Sequence, residues 1–584
     1  MIELSAEQQA IVEAPLTPLA VIACAGSGKT QTAVHRLVEM RRRLGAARGR
    51  IALLSFSNVA VDTFQKSYQK LAQELPAGVG RSRVDIDTLD GFITTNVLRS
   101  HAHRTMQSAH AAYLVTGSEP FLSGFTFRTE NYPLPIADMQ VGFRNGQPYF
   151  YYAYFEQLTE LDTAYATGIV SRLGRMGAYT HNLGRYWCYQ TLIAQPAILK
   201  ALSRRYPHIV VDESQDIGSC HQAILEVLAA AGAQISLIGD PNQGIYAFAG
   251  ADGSFLDSYH ARPGVAAFAL TRNYRSLPSI LALANNVSRR NDTAERAVMP
   301  APNGPYFVGY TKASLPQLID AFRAEVGAAG LNVENSAVLC RGRPLANELA
   351  GLDAPAGQGL VKGFFAAAMQ RDKRRDYLSA FKTVVSCVFA LLQAVPNGLQ
   401  SKLMQPALYP EMRQLRRRLW NFTRSHETGL PSSELIAAKQ WHELLLARVK
   451  VLLADIEAQF GFAAVDNVGR KLARTGLPDA PLAIQNDLAA ERGALVRVDT
   501  VHRAKGESLH AVMYVATKEH VQAMLAGVDS ELGRIGYVAI TRAKNLLWLA
   551  VPSNALKELS PALIAAGFAE AGRVPKALAL KAVA

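Results

Sequence analysis

The chain has 584 residues, too many for one compact core, and at roughly 100–200 residues per domain it is expected to form several units. Hydrophobic residues make up 49% and charged residues 19%, a balance that excludes a disordered chain. Lys and Arg outnumber Asp and Glu by 61 to 48, and the resulting net charge of +13 favours polyanionic partners, although a basic bias without a partner gives the same number.

The five cysteines (Cys24, Cys188, Cys220, Cys340, Cys387) include no C-x-x-C pair, which argues against a disulfide framework, a zinc ribbon or an iron–sulfur cluster and suits a reducing compartment. Residues 1–9 lack the basic and apolar regions of a signal peptide, and the longest apolar stretches fall short of the ~20 residues of a membrane span. A cytoplasmic location with no membrane partner is the expectation.

In chain order, residues 19–24 (LAVIAC) form a short β-rich run that leads at once into Ala25-Gly26-Ser27-Gly28-Lys29-Thr30. Residues 31–40 then show helical spacing, with Val34, Leu37, Val38 and Met40 on one apolar face. Strand, glycine-rich turn and helix are the context in which backbone N–H groups close around phosphate. Lys29 is expected to reach the β- and γ-phosphates of ATP, and Thr30 to hold Mg²⁺. Ala23 stands where the usual pattern has its first glycine.

Further on, Asn145-Gly146 lies between apolar, aromatic-rich segments, and this predicts a β-hairpin with a type I′ turn. Residues 208–211 (HIVV) read as a buried strand that ends in Asp212-Glu213-Ser214-Gln215-Asp216. Carboxylates at such a strand end, beside a phosphate loop, are placed to hold Mg²⁺ (Asp212) and orient the attacking water (Glu213), which makes a nucleoside triphosphatase the expected activity. Basic runs at 41–43, 371–375 and 413–418 follow the same chain, the last beside Trp420 and Phe422. Such runs suit a nucleic-acid surface or a helix face lying over apolar neighbours.

Taken together, these segments resemble the UvrD/Rep/PcrA-like superfamily 1A DNA helicases. Leu4-Ser5-Ala6-Glu7-Gln8 resembles the Q motif, whose glutamine reads adenine; the loop from Ala23 and Cys24 through Ala25, Gly26, Ser27, Gly28, Lys29 and Thr30 is similar to the family's A-x-A-G-S-G-K-T form. Ser55-Phe56-Ser57-Asn58 and Thr88-Leu89-Asp90-Gly91-Phe92 resemble DNA-contacting segments, with Asp90 where histidine is usual. The run from Gly239 through Gln243 and Tyr246 to Ala251 resembles G-D-x-x-Q-x-I-Y-x-W-R-G-A, with Phe248 and Ala249 replacing Trp and Arg.

Asn273-Tyr274-Arg275-Ser276 matches N-Y-R-S, Thr500-Val501-His502 through Lys505-Gly506-Glu507 resembles T-x-H-x-x-K-G-x-E with its glutamate one position early, and Tyr537 through Ala543 matches Y-V-x-x-T-R-A. The resemblance implies that Gln8, Tyr274 and Glu507 contact the nucleoside, that Gln243 senses the γ-phosphate, and that Arg275 and Arg542 are arginine fingers. It assigns Phe56, Asn58, Thr88, Phe92, Tyr246, Phe248, Thr500 and His502 to DNA.

The implied fold class is α/β, with two tandem RecA-like P-loop motor domains, each carrying an inserted, mainly helical subdomain. The first motor domain is expected at 1–90 and 190–271 around an insertion at 91–189. The second is expected at 272–352 and 485–552 around a regulatory, duplex-contacting insertion at 353–484, with 357–360 and 475–478 as hinges and residues 337–340 as its first strand. A C-terminal tail follows at 553–584, and no nuclease domain is expected after Arg542.

The implied activity is an ATP- and Mg²⁺-dependent 3′→5′ helicase on single-stranded and tailed duplex DNA. The segment 505–510 and the short chain also resemble the helicase-like subunit of Gabija-type antiphage systems, so a motor serving a separate nuclease subunit is the alternative. A DNA-responsive ATPase switch that unwinds nothing is a third reading.

Overall fold

In a computed structural model of the chain, the described residues are 4–571 apart from 77, 116, 118, 130–131, 155–156, 247–249, 351–356, 373–374, 397, 407–408 and 482–495. Strands β1 (Leu19–Ala23), β2 (Ile51–Ser55) and β3 (Val84–Thr88) open the first sheet. The chain then leaves for an insertion containing β4 (Gln140–Arg144), β5 (Gln147–Tyr154) and β6 (Gln157–Leu161), and returns with β7 (His208–Val211), β8 (Gln234–Gly239) and β9 (Ala266–Leu270). The first sheet is wholly parallel, in the order β9-β1-β8-β7-β2-β3. Its central strands are apolar along their length because helices cover both faces: Leu19, Val21 and Leu53 pack on one side, and Ala20, Leu54 and Ile209 on the other.

The second sheet is also parallel. It comprises β10 (Gly304–Tyr310), β11 (Ala337–Cys340), β12 (Arg497–Thr500), β13 (Leu509–Val515), β14 (Ala543–Pro552) and β15 (Ala569–Glu570), in the order β12-β11-β13-β14-β10-β15. Two expectations change here. Residues 337–340 are not its first strand, since β10 precedes them and pairs along its whole length with β14. The expected tail forms a helix (Ser553–Ala566) and then β15, which pairs with Tyr306 and Phe307 at the sheet edge.

The insertions differ from each other. Phe127, Phe150, Leu173 and Trp187 of the first share one continuous core with the first sheet, so this segment is not a separate unit. It is mixed α/β rather than mainly helical, because the Asn145-Gly146 turn, with φ of 53° and 74°, closes an antiparallel β4–β5 ladder in which Arg144 faces Gln147. The edge of β4 is covered by the Ser219–Ala230 helix, where Ser219 Oγ accepts from Phe143 N (3.0 Å) and Cys220 Sγ donates to Val141 O (3.0 Å).

The second insertion is helical, with its own core around Phe364, Val384, Leu419, Trp441 and Ile456. Its expected hinges run side by side: Gly357 N donates to Gly476 O (2.9 Å), and both glycines take left-handed φ values of 89° and 79°. The insertions meet where Arg99 Nη2 donates to Tyr409 Oη (3.1 Å) and Tyr113 packs on Gly398.

Most of the basic runs turn out to be structural. Arg371 is buried and donates to Thr423 O (3.1 Å) and Pro431 O (3.0 Å) while pairing with Asp372. Arg416 lies 4.9 Å from the Phe381 ring centre, and Arg418 pairs with Asp455, which leaves Arg417 as the exposed member of that triplet. Lys373 and Arg374 lie outside the described residues. No helix among the described residues is long and apolar enough to cross a membrane.

Candidate nucleotide site and nucleic-acid edge

Phosphate-loop, acidic and polar segments all leave the first sheet at the C-terminal ends of its strands, the edge where open parallel sheets bind ligands. β1 runs into the loop 23–28, and Gly28, with φ of 80°, begins the Lys29–Leu44 helix. A side chain at Gly26 would collide with Arg275, and one at Gly28 with the Gln8 amide, so both glycines are needed for close approach. Ser27 Oγ donates to Cys24 O (2.8 Å), and Lys29 Nζ lies 3.5 Å from the same carbonyl.

Asp212 ends β7. It is buried, and its Oδ1 has no hydrogen-bond partner. Burial and the neighbouring Glu213 push its carboxyl up to about 8. Such a carboxylate pays a desolvation penalty unless a cation meets it. With the Thr30 hydroxyl and substrate phosphate oxygens as further ligands, this donor set fits Mg²⁺, which takes one or two carboxylates rather than a full protein cage. Glu213 adopts a left-handed φ of 52°, uncommon for a residue with a side chain, and its Oε2 accepts from Gln215 Nε2 (2.5 Å). Burial pushes the Glu213 carboxyl up, but Lys29, Lys505 and Arg542 outweigh it and hold the group low.

Two arginines face this cluster. Arg542 is buried; its Nη2 donates to Gln243 Oε1 (2.8 Å), whose own Nε2 donates to Asp240 Oδ2 (2.7 Å). Arg275 donates to Thr541 O (3.1 Å), and burial together with Arg542 lowers its guanidinium to about 9. Asn273 fixes Arg275 against the phosphate loop, with Nδ2 donating to Ala25 O (2.5 Å) and Oδ1 accepting from Arg275 N (3.0 Å).

A cavity of about 540 Å³ opens outward from this cluster, lined on one side by Gly26, Gly28, Gln31 and Tyr274 and on the other by Ser508, His510, Lys544 and Asn545. The first sheet therefore presents its C-terminal edge, and the second its N-terminal edge, to one cleft.

Residues 4–133 and 148–262 match the family model of the UvrD/REP helicase N-terminal domain. The putative ATP-dependent DNA helicase YjcD of Bacillus subtilis is 23% identical across 92% of this chain and 77% of its own length. The chain is similar to the UvrD/Rep/PcrA-like helicases, with the family-model match confined to its N-terminal part.

ATP-dependent DNA helicase UvrD2 of Mycobacterium tuberculosis is 25% identical over 48% of this chain, and DNA helicase II of Escherichia coli is 23% identical over 50%. The chain spans only 42% and 41% of those two proteins. Residues 134–147, outside the family match, contain β4 and the hairpin turn, so this UvrD/Rep-like chain departs from the family model at the hairpin.

Lys29, Asp212, Glu213, Gln243, Arg275 and Arg542 thus form one cluster, of which Arg275 reaches the cavity, with Thr30 in the first turn of the loop helix and Tyr274 on the cavity wall. Other expected residues are held by contacts within the protein. Gln8 is buried and caps its own helix, with Oε1 accepting from Ser5 N (3.0 Å) and Nε2 donating to Ser27 O (3.2 Å). The Glu507 carboxylate pairs with Arg497 (2.7 Å), and it is Ser508 that lines the cleft. Phe92 is buried 4.9 Å from the Tyr206 ring, and the buried Thr500 hydroxyl caps Arg503 N (3.4 Å), so both are packing or capping groups.

Phe56 and Asn58 follow β2 and Thr88 ends β3 at the same sheet edge, with Asn58 exposed and Phe56 against His221 (5.7 Å). Tyr246 and His502 meet across the domain boundary (5.8 Å), while Phe248 lies outside the described residues.

Sequence reasoning did not single out Gln215, Asn273, Lys505 or Ile245 as site residues. Lys505 pairs with Asp216 and donates to Gln243 O (2.7 Å), and Ile245 is fully buried among Val501, Ala504 and Val538. All four stand inside quoted segments, and their positions were the available signal, Ile245 as a fixed letter of the motif that runs from Gly239 to Ala251.

Proposed function

We propose that the chain is a DNA-stimulated ATPase that uses hydrolysis to move along single-stranded DNA in the 3′→5′ direction and to open tailed duplexes. The observation that carries this reading is the cluster in which phosphate loop, acidic strand end and the arginines Arg275 and Arg542 converge. Lys29 and the loop amides bind the triphosphate, Asp212 and Thr30 hold Mg²⁺, and Glu213, oriented by Gln215, positions the attacking water. Mg²⁺ held there supplies positive charge to the phosphate oxygens.

Arg275 and Arg542 neutralise charge that develops on the transferred group, a role worth ~10³–10⁵ in rate where such residues act as fingers. Movement of the two sheets, read here as RecA-like motor domains, shifts DNA along the edge that carries Phe56 and Asn58.

Lys29→Ala and Glu213→Gln are each expected to reduce DNA-stimulated phosphate release to background while the chain stays folded. Substantial remaining turnover in either variant removes the catalytic assignment. A motor that serves a separate nuclease in an antiphage system makes a different prediction for the same protein, namely hydrolysis with little strand separation by the chain alone. Displacement of a labelled strand from 3′- and 5′-tailed duplexes tests that alternative and the polarity together.

A further inference from the structure

Three neighbouring strands of the first sheet, β7, β2 and β3, are each entered through arginines, at the edge opposite the phosphate loop and the acidic strand end. Arg204 and Arg205 end the Pro196–Arg205 helix ahead of β7, Arg48 and Arg50 stand ahead of β2, and Arg81 and Arg83 ahead of β3. Strands lie about 4.8 Å apart, so three adjacent entries set these side chains in a row roughly 10 Å across at its base. Backbone bonds tie the entries together: Arg50 N donates to Arg205 O (2.7 Å), and Ile51 N donates to Arg83 O (3.0 Å).

Part of the row serves the fold. Arg50 pairs with Asp85 (2.5 Å), Arg83 Nη1 donates to Ala46 O (2.9 Å), and Arg81 donates to Leu75 O. Backbone carbonyls do not cancel a guanidinium charge, however, and among the described residues no carboxylate forms an ion pair with Arg48, Arg81, Arg83, Arg204 or Arg205. Arg48 and Arg204 are exposed and make no side-chain hydrogen bond among the described residues.

We infer that this edge is a second DNA-contacting surface, which holds the phosphate backbone of a duplex without reading its sequence. It rests on DNA being a ligand of the chain and not on the catalytic reading of the nucleotide site. Guanidinium forks match phosphate oxygens, and such contacts give affinity and orientation but no base information. A single-strand platform would also need exposed aromatic faces, and here Tyr68 and Tyr206 are buried. A protein partner would need an apolar anchor, and none of the large exposed apolar side chains lies on residues 41–50, 81–84 or 200–207.

Fluorescence anisotropy of a labelled blunt duplex of about 20 base pairs, titrated with the intact chain without nucleotide from about 50 to about 200 mM salt, measures this contact. Arg48→Ala combined with Arg204→Ala is expected to weaken binding about tenfold or more at the lower salt. The slope of log affinity against log salt is expected to flatten by about two, the scale of two lost phosphate contacts. Arg48→Lys with Arg204→Lys, which keeps both charges, is expected to stay within about threefold of the parent.

Unchanged affinity and slope in the alanine variant overturn the assignment, and so does an equal loss in the lysine variant, because charge would then not be the cause. Tighter binding of a labelled poly-glutamate chain than of the duplex, lost in the alanine variant, overturns it in favour of an acidic protein partner. Phosphate release stimulated by a short single strand reports the opposite edge and is expected to stay within about twofold in both variants. A parent chain that binds duplex with this profile and hydrolyses nothing overturns the catalytic reading alone.

Discussion

Asp90 stands where the resembled motif has histidine, and the structure supplies it with partners. Arg185 meets it through Nε (2.9 Å) and Nη2 (2.8 Å), and His221 Nε2 lies 2.9 Å away. Burial pushes the Asp90 carboxyl up, yet His221 and Arg185 outweigh it and hold the group well below the usual carboxylate range. His221 itself is lowered, first by burial and then by Arg185, so at neutral pH the guanidinium fork is the charged partner.

Both folded values lie below their unfolded ones, which makes the unfolded chain the stronger proton binder on acidification. The His221 contribution is full above about pH 6.5 and declines as pH falls toward its folded value; the Asp90 contribution begins to decline only below about pH 4. Thermal melts of the parent and of His221→Gln between pH 7.5 and 5 are expected to converge as pH falls. Parallel curves would show that His221 titrates alike in both states.

The same cluster shows what single residues conceal in sequence. Lys29, Asp212 and Arg542 were legible because their chemistry is tied to a fixed spacing. Phe92 and Thr500 carry motif letters as well, but their side chains face the core and a helix cap, which spacing does not reveal.

At the scale of elements, the Arg413–Arg424 helix is the clearest case of a pattern with two meanings. A basic run beside aromatics suggested duplex contact, but three of its side chains have different tasks. Arg416 covers Phe381 and donates to Leu403 O (3.0 Å), Arg418 pairs with Asp455, and Arg417 faces solvent. Changing all three at once would therefore confuse DNA binding with folding. Arg416→Ala is expected to lower the melting temperature by several degrees, as loss of about 1 kcal/mol of packing and hydrogen bonding does, while Arg417→Ala leaves it unchanged. Scanning calorimetry of both variants decides the point, and equal melts would return Arg416 to the surface reading.

Elements with strong local chemistry were legible: β7, the phosphate loop with its helix, and the Asn145-Gly146 hairpin. β15 was not, because two residues carry no periodicity and pair only through the fold. The shared core of the first insertion was hidden for a related reason, since segment composition does not say which sheet a side chain will meet.

At the scale of the whole molecule, the nucleotide site and the DNA edge have to be joined mechanically. The segment after β8 makes that joint. Gln243 bonds to Arg542, Ile245 is buried in the core of the second sheet, Gly244 O accepts from Arg534 Nε (2.6 Å), and Ile245 O lies 3.1 Å from His502 Nε2. Lys505 adds an ion pair to Asp216, four residues past Asp212. A loop of the first unit is thus held by the second through one apolar plug and several polar contacts, so relative movement of the sheets reaches Gln243 and Tyr246 together.

Removing the plug weakens this transmission without touching a group proposed to contact phosphate. A buried isoleucine truncated to alanine typically costs about 2–5 kcal/mol, here concentrated at the boundary between the two units. Ile245→Ala is therefore expected to separate the two outputs, with DNA-stimulated hydrolysis retained within about threefold and base pairs opened per ATP falling by about tenfold or more. Measuring phosphate release and strand displacement in one reaction gives that ratio directly. A variant whose two rates fall in proportion would place Ile245 in general stability, and the coupling would then rest on Lys505 and Arg534.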